Sequence, residues 1–330
     1  MTQARKPKMT LVIAGFMFDD PIADYVWPSS TAEPKLRASQ TSEPSGIFIA
    51  ADSTISTNGK SSQTLLSGFR KIYEVRATLW QPYFIGGYFK DYRIEHSSCQ
   101  LLVAFAGSTL TAQHYLNSIT THLQNLRISH RQRAIGELEP IAYMVRLECE
   151  TNPIEGGGVF SDDTYTPKDM QAFNLTAGDL AHAIQHSLEH ALRSAKKYKL
   201  DRQGFDSLNT PFVAGIRCPT TMKYRLFRFD ILERSIPGEP LSMSVDMTEL
   251  TPNQVAVLGM SGHFDQRAQE AYNSALEANR STQQACFDFL QDAIDEVQET
   301  GSKAIDLPAV LMTLDERGVT KELVRAPQGE

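Results

Sequence analysis

Apolar positions along the chain fall first into short runs without polar alternation, then into helical stripes that come in adjacent pairs. Thr10–Phe16 and Ile47–Ala51 are runs of the first kind, the signature of strands buried on both faces. Residues 69–75 and 101–106 supply two more strands. From Thr109 to about Arg127, Leu110, Tyr115, Leu116, Ile119, Leu123 and Leu126 recur at helical spacing. Between Ala177 and Lys199, Leu180, Ala183, Ile184, Leu188, Ala191 and Leu192 do the same. Phe212–Ile216 and Tyr224–Asp230 read as a hairpin, and Val255–Leu258 as a short strand. Phe264–Ala278 and Thr282–Glu299 read as helices, and Leu307–Asp315 as a closing strand turning at Arg317-Gly318. Helices arriving in pairs between groups of strands do not alternate as βαβ units do. The pattern predicts an α+β fold, with two antiparallel sheets held between two helix layers in a four-layer αββα sandwich.

Three stretches interrupt this order. Residues 17–45 carry Pro21, Pro28, Pro34 and Pro44 among Asp, Ser and Thr, and read as a long functional or mobile loop. Residues 78–98 are rich in aromatics around a Gly86-Gly87 turn and read as an inserted hairpin or rim, serving either an interface or ordinary packing. Residues 130–174 hold a candidate strand at Ile141–Leu147, a run of three glycines at 156–158 and an acidic loop. No Pro/Gly/Ser linker separates two self-sufficient patterns. The expectation is therefore one domain over 10–330 with insertions near 17–45, 78–98 and 130–174, after a leader or over-extended start at 1–9.

Composition narrows the function classes. Of 330 residues, 41% are hydrophobic and 22% charged, an ordinary globular balance with enough material for a sizeable core. The net charge of −7 argues against nucleic acid, which calls for a basic stripe. No apolar run approaches the roughly 20 residues of a membrane-spanning helix, and no signal peptide is visible. Cys99, Cys149, Cys218 and Cys286 lie far apart, without metal spacing or a secreted framework. A cytoplasmic location is the default that follows.

Chemistry-bearing residues cluster at the ends of the apolar runs. Asp52 ends the second run, where an acid must find a partner or carry a large desolvation cost; an Asx-type turn is the plainer reading. Lys71 enters the third strand, and Gly107 lies where the fourth strand turns into a helix. His182, His186 and His190 share one helix face at i, i+4 and i+8, a spacing at which two histidines can bind a metal. Nothing else in the sequence offers an obvious further ligand, so a solvated helix face is preferred, with no metal and no cofactor expected.

Five stretches in order resemble the proteasome β-type family of N-terminal-nucleophile hydrolases, which includes HslV and the Anbu-type bacterial homologues. They are Met9–Gly15, Gly46–Thr57, Gly68–Val75, Leu101–Gln113 and Pro211–Asp230. The resemblance implies an amide or peptide hydrolase whose nucleophile is an N-terminal threonine, here Thr10. Its own α-amine, ordinarily titrating at about 7.7–8.0, would serve as base. A register shifted by one would put Met9 there and leave no nucleophile. Translation from Met9 followed by loss of that methionine would expose Thr10. Asp52 and Lys71 resemble the supporting acid and lysine of the family; a structural ion pair is the plainer alternative. Gly107 resembles the glycine whose N–H forms the oxyanion hole, and Ser261 the serine of a Gly-Ser-Gly loop that Met260 interrupts. Near Thr300-Gly301 the family's acid position falls on Val297, with Glu296 and Glu299 out of register. The resemblance also implies a peptide or unfolded-protein substrate, a homo-oligomeric ring or stack, and room for an ATPase partner. The departures from the motif point to a second reading, a catalytically inactive proteasome-like scaffold or binding subunit.

Overall fold

A computed structural model describes residues 10–18, 43–56, 64–130, 143–152, 154, 173–195, 202–234 and 242–324. Their elements, in chain order, begin with β1 (Leu11–Met17), β2 (Gly46–Asp52), β3 (Ile55–Ser56), β4 (Thr64–Leu66), β5 (Ile72–Ile85), β6 (Tyr88–Phe105) and α1 (Thr109–Gln124). Then come β7 (Leu126–His130), β8 (Tyr143–Arg146), α2 (Ala177–Ala195), α3 (Arg202–Leu208), β9 (Phe212–Arg217), β10 (Tyr224–Arg234) and β11 (Ser242–Leu250). The last are β12 (Ala256–Gly259), α4 (Ser261–Glu277), α5 (Thr282–Glu299), β13 (Ala309–Asp315) and β14 (Gly318–Val324). The class is mixed α and β, as the pairing of helical stripes predicts. The described residues fall into two compact units, one within 1–72, 104–106 and 249–330, the other within 73–103 and 107–248.

The first unit holds a five-stranded sheet in the order β12-β1-β2-β13-β14, antiparallel at every pairing. β1 and β2 carry almost no polar side chain because both of their faces are buried: Leu11, Val12, Ile13, Ala14, Ile49 and Ala50 are all fully covered. One face, including Leu11, Ile13, Phe48, Ala50 and Leu311, packs on Phe264, Tyr272, Phe287, Leu290 and Ile294 of α4 and α5. Ser281 caps α5 by accepting from the Gln284 N–H at 3.2 Å. Polar atoms pin the helices to the sheet end: the Thr282 hydroxyl donates to Phe16 O at 2.7 Å, and the Tyr272 hydroxyl donates to Pro252 O at 2.6 Å.

The second unit holds a seven-stranded sheet in the order β11-β10-β9-β6-β5-β7-β8. Residues 78–98, read from the sequence as an inserted hairpin, are the outer lengths of β5 and β6. The strands run into the hairpin without a break and turn at Gly86-Gly87, where φ is +57° at Gly86 and +85° at Gly87. Positive φ at both central residues suits the strand twist and favours glycine there. α1 and α2 pack together, and α2 lies against β9 and β10.

The helix expected to reach about Arg127 stops at Gln124, and Leu126 instead opens β7, which pairs in parallel with β5 through Leu79–Leu126. Leu126 fits the helical spacing of Leu123 and also begins the alternation of Leu126 and Ile128, so the two periods overlap at that residue. Leu110 fits the stripe by composition only. It lies about 140° around the helix from Tyr115 and is 85% exposed. β11 has no counterpart in the sequence reading, since its alternation is weak and polar. The leader at 1–9, residues 19–42 of the first expected insertion and most of 131–172 lie outside the described residues. Among the described residues, no helix is long and apolar enough to cross a membrane.

Phe287 and Leu110 give a contrast in stability. Phe287→Ala should cost about 3–5 kcal/mol, because it opens a cavity between α5 and the sheet. Leu110→Ala should stay within about 0.5 kcal/mol of the parent. Urea denaturation midpoints of the two variants measure the difference.

Candidate functional site

The end of β2 delivers Asp52, with no exposed surface, to a point where four donors converge on its carboxylate. Lys71 Nζ reaches Oδ2 at 2.7 Å. The Thr54 hydroxyl donates to the same oxygen at 2.7 Å and the Thr54 N–H at 3.2 Å. The Leu11 N–H donates to Oδ1 at 2.9 Å. That is about the full acceptor capacity of an ionised carboxyl group. The Asx-type turn and the ion pair, posed as alternatives by the sequence, are both present on one side chain.

Lys71 stands immediately before β5, its own carbonyl accepting from the Phe105 N–H at 3.4 Å. Besides Asp52, its ammonium nitrogen donates to Thr10 Oγ1 at 3.3 Å. Thr10 and Lys71 are both about 5% exposed. Burial holds Lys71 below the ordinary lysine range, against the upward pull of the Asp52 charge and hydrogen bond. A lysine so placed favours negative charge developing on the threonine oxygen and is itself within reach of a proton exchange with it.

The Thr10 backbone is fixed on two sides. Its carbonyl accepts from the Met260 N–H at 2.9 Å, and the next amide, Leu11 N–H, is the one bound to Asp52. Gly259 pairs with Leu11 at a φ of +89°, and a Cβ there would run into the Thr10 carbonyl oxygen. Only glycine allows β12 this close to β1. Sequence reasoning missed both Thr54 and Gly259. The signal for Thr54 was its position two residues after a strand-end aspartate. For Gly259 it was a glycine closing an apolar strand.

Thr10, Asp52 and Lys71 are thus brought together. Gly107 stands in the second unit, at the turn from β6 into α1, with φ +144° and Thr210 Oγ1 2.8 Å from where a Cβ would sit. Its conformation and its close neighbour each call for glycine. Ser261 is the first residue of α4 and half buried, and among the described residues its hydroxyl makes no hydrogen bond to Thr10, Asp52 or Lys71. Its link to the cluster is through the backbone of Met260. Val297 belongs to the core of the first unit. Glu296 is engaged by Arg267 at 2.8 Å and His263 at 3.2 Å on the surface, and Thr300-Gly301 form the end of α5.

The histidine face of α2 is not simply solvated. His186 and His190 stack on one another with ring centroids 6.2 Å apart, and both meet the edge of His122 from α1 at 5.5 Å. Cys149, in the turn after β8, lies 3.1 Å from His186 Nε2. His182 is exposed. Burial and the two neighbouring imidazoles push His122 down to about 4, and burial also lowers His186. His122 and Cys149 are far from α2 in sequence, so helical spacing alone could not include them.

Removing Lys71 leaves the Asp52 charge buried without its cation. Lys71→Met should therefore cost about 3–5 kcal/mol. The double variant Asp52→Asn with Lys71→Met should regain most of that loss, because neither charge is then stranded. Urea unfolding of the two single variants and the double variant gives the coupling. No family model matches the chain, and no curated protein matches it in sequence.

Proposed function

We propose that the chain is a proteasome-like, threonine-type amide or peptide hydrolase acting through Thr10 once the residues before it have been removed. The observation that carries this reading is the buried Lys71 ammonium, 2.7 Å from Asp52 and 3.3 Å from Thr10 Oγ1. Thr10 Oγ would attack the scissile carbonyl carbon, its proton passing to the free α-amine. That amine would return the proton to the leaving nitrogen as the C–N bond breaks, and water would then hydrolyse the ester on Thr10. Lys71 favours the anionic oxygen and the neutral amine, while Asp52 keeps the lysine in position. The reading carries with it the four-layer αββα arrangement, Gly107 as an oxyanion donor, a peptide or unfolded-protein substrate, and a homo-oligomeric ring or stack that an ATPase could serve.

A second reading has its own support. Among the described residues the Ser261 hydroxyl makes no bond to Thr10, Asp52 or Lys71, and the position of the family's late acid is occupied by the core residue Val297. These features favour a catalytically inactive scaffold on the same fold.

The two readings part in one experiment. Protein whose N-terminus is verified as Thr10 by intact mass should hydrolyse fluorogenic peptides and be acylated on Thr10 by a β-lactone. Thr10→Ala should lower turnover by at least about 10⁴-fold while leaving the fold intact. Neither turnover nor adduct from a folded chain starting at Thr10 would overturn the hydrolase and leave the scaffold.

A further inference from the structure

We propose that His122, Cys149 and His186 of the second unit form a zinc site that ties the turn after β8 to the α1–α2 helix pair. One ligand atom from each residue lies within 4.8 Å of the other two, and Cys149 Sγ is already 3.1 Å from His186 Nε2. Zinc with one thiolate and two imidazoles requires ligand separations of about 3.3–3.7 Å, given Zn–S near 2.3 Å and Zn–N near 2.0–2.1 Å. Closing the set from the 4.8 Å limit requires the ligand atoms to approach one another by about 1 Å.

The surroundings prepare His122 for this role. The Ser187 hydroxyl donates its one hydrogen to the Ala183 carbonyl at 2.6 Å. In its 2.8 Å bond with His122 Nδ1 it must therefore accept, which fixes the hydrogen on Nδ1 and leaves the lone pair on Nε2. A metal-binding histidine held by a hydrogen bond through its other nitrogen is the usual arrangement around zinc. His190 stacks on His186 and limits where that ring can turn. A soft thiolate with imidazoles suits zinc and excludes magnesium or calcium, which call for oxygen ligands. Three protein ligands leave the fourth position to solvent, consistent with the exposure of Cys149 and the half-buried state of His186. Of the four cysteines, Cys149 alone is exposed, so thiolate binding can be assigned to it.

The site is independent of the hydrolase reading, and Thr10→Ala should bind zinc as the parent does. The test uses the full chain, reduced and stripped with a chelator, titrated with zinc against a chromophoric competitor. The expected result is one tight equivalent. Affinity should fall at least about 100-fold in Cys149→Ser and His186→Ala, and about 10–100-fold in Ser187→Ala, which removes only the outer hydrogen bond. Cobalt in place of zinc should give an intense near-ultraviolet thiolate band in the parent that is missing in Cys149→Ser. The band is read on the unaltered protein and does not depend on how any variant folds. A parent chain that takes up no zinc, cobalt binding without the thiolate band, or affinity kept within a few-fold in Cys149→Ser would each overturn the proposal.

Discussion

An aspartate with no exposed surface must be given a counter-charge and donors in place of water, and the first unit is arranged so that Asp52 receives both. The cation comes from Lys71, 19 positions on, and the donors from Leu11 and Thr54. Each donor belongs to a different piece of backbone: the start of β1, the residues after β2 and the entry to β5. Desolvating two opposite charges costs several kcal/mol per ion and is offset only when geometry and hydrogen bonds are good. The pair therefore acts as a test of assembly, satisfied only when three separate segments have reached their native positions. A hydrophobic trio of the same size would stabilise the core without setting the Thr10 oxygen beside an ammonium.

The sheet supplies the precision that the pair requires. β1 is clamped between β2 and β12, and the residue that leads into it is held by close approach as well as by hydrogen bonds. Gly259 lets the β12 backbone lie against the Thr10 carbonyl, and Met260 N–H then binds that carbonyl from the start of α4. α4 and α5 in turn close one face of the same sheet through Phe264, Tyr272, Phe287 and Ile294. Packing of these helices thus bears directly on where the Thr10 carbonyl points. The core and the candidate site share one rigid sheet, so a change far from the site along α4 has a physical route to it.

β1 and β2 are legible in the sequence because burial on both faces leaves an apolar run with no alternation, which few other structures require. Asp52 and Lys71 can be singled out because a charge beside such a run needs an explanation. The limits of α5 are equally plain, since Ser281 marks the start and the apolar stripe ends at Val297. The end of α1 is obscured because Leu126 satisfies two periods at once. Leu110 is misleading because apolar character counts toward a stripe only at the right angle around the helix. Gly259 and Met260 escape notice for another reason: their contributions are backbone contacts, and no side-chain pattern announces them.

The two clusters of polar groups differ in how they came to be hidden. In the first unit, the partners of Asp52 occupy ends of apolar strands, where any polar residue stands out. In the second, His122 sits on the buried stripe of α1, one turn on from Ile119, in a position where a sequence pattern anticipates an aliphatic residue. It is tolerated there because Ser187, buried on the facing stripe of α2, accepts its hydrogen and passes its own to Ala183. A leucine at 122 would fill such a position without demanding a matched serine on the neighbouring helix. Keeping an imidazole there, edge-on to His186 and His190, is a costlier solution to packing than the fold alone demands. That excess of polar arrangement over packing need is the physical ground for reading the helix pair as a ligand-binding element as well as a core layer.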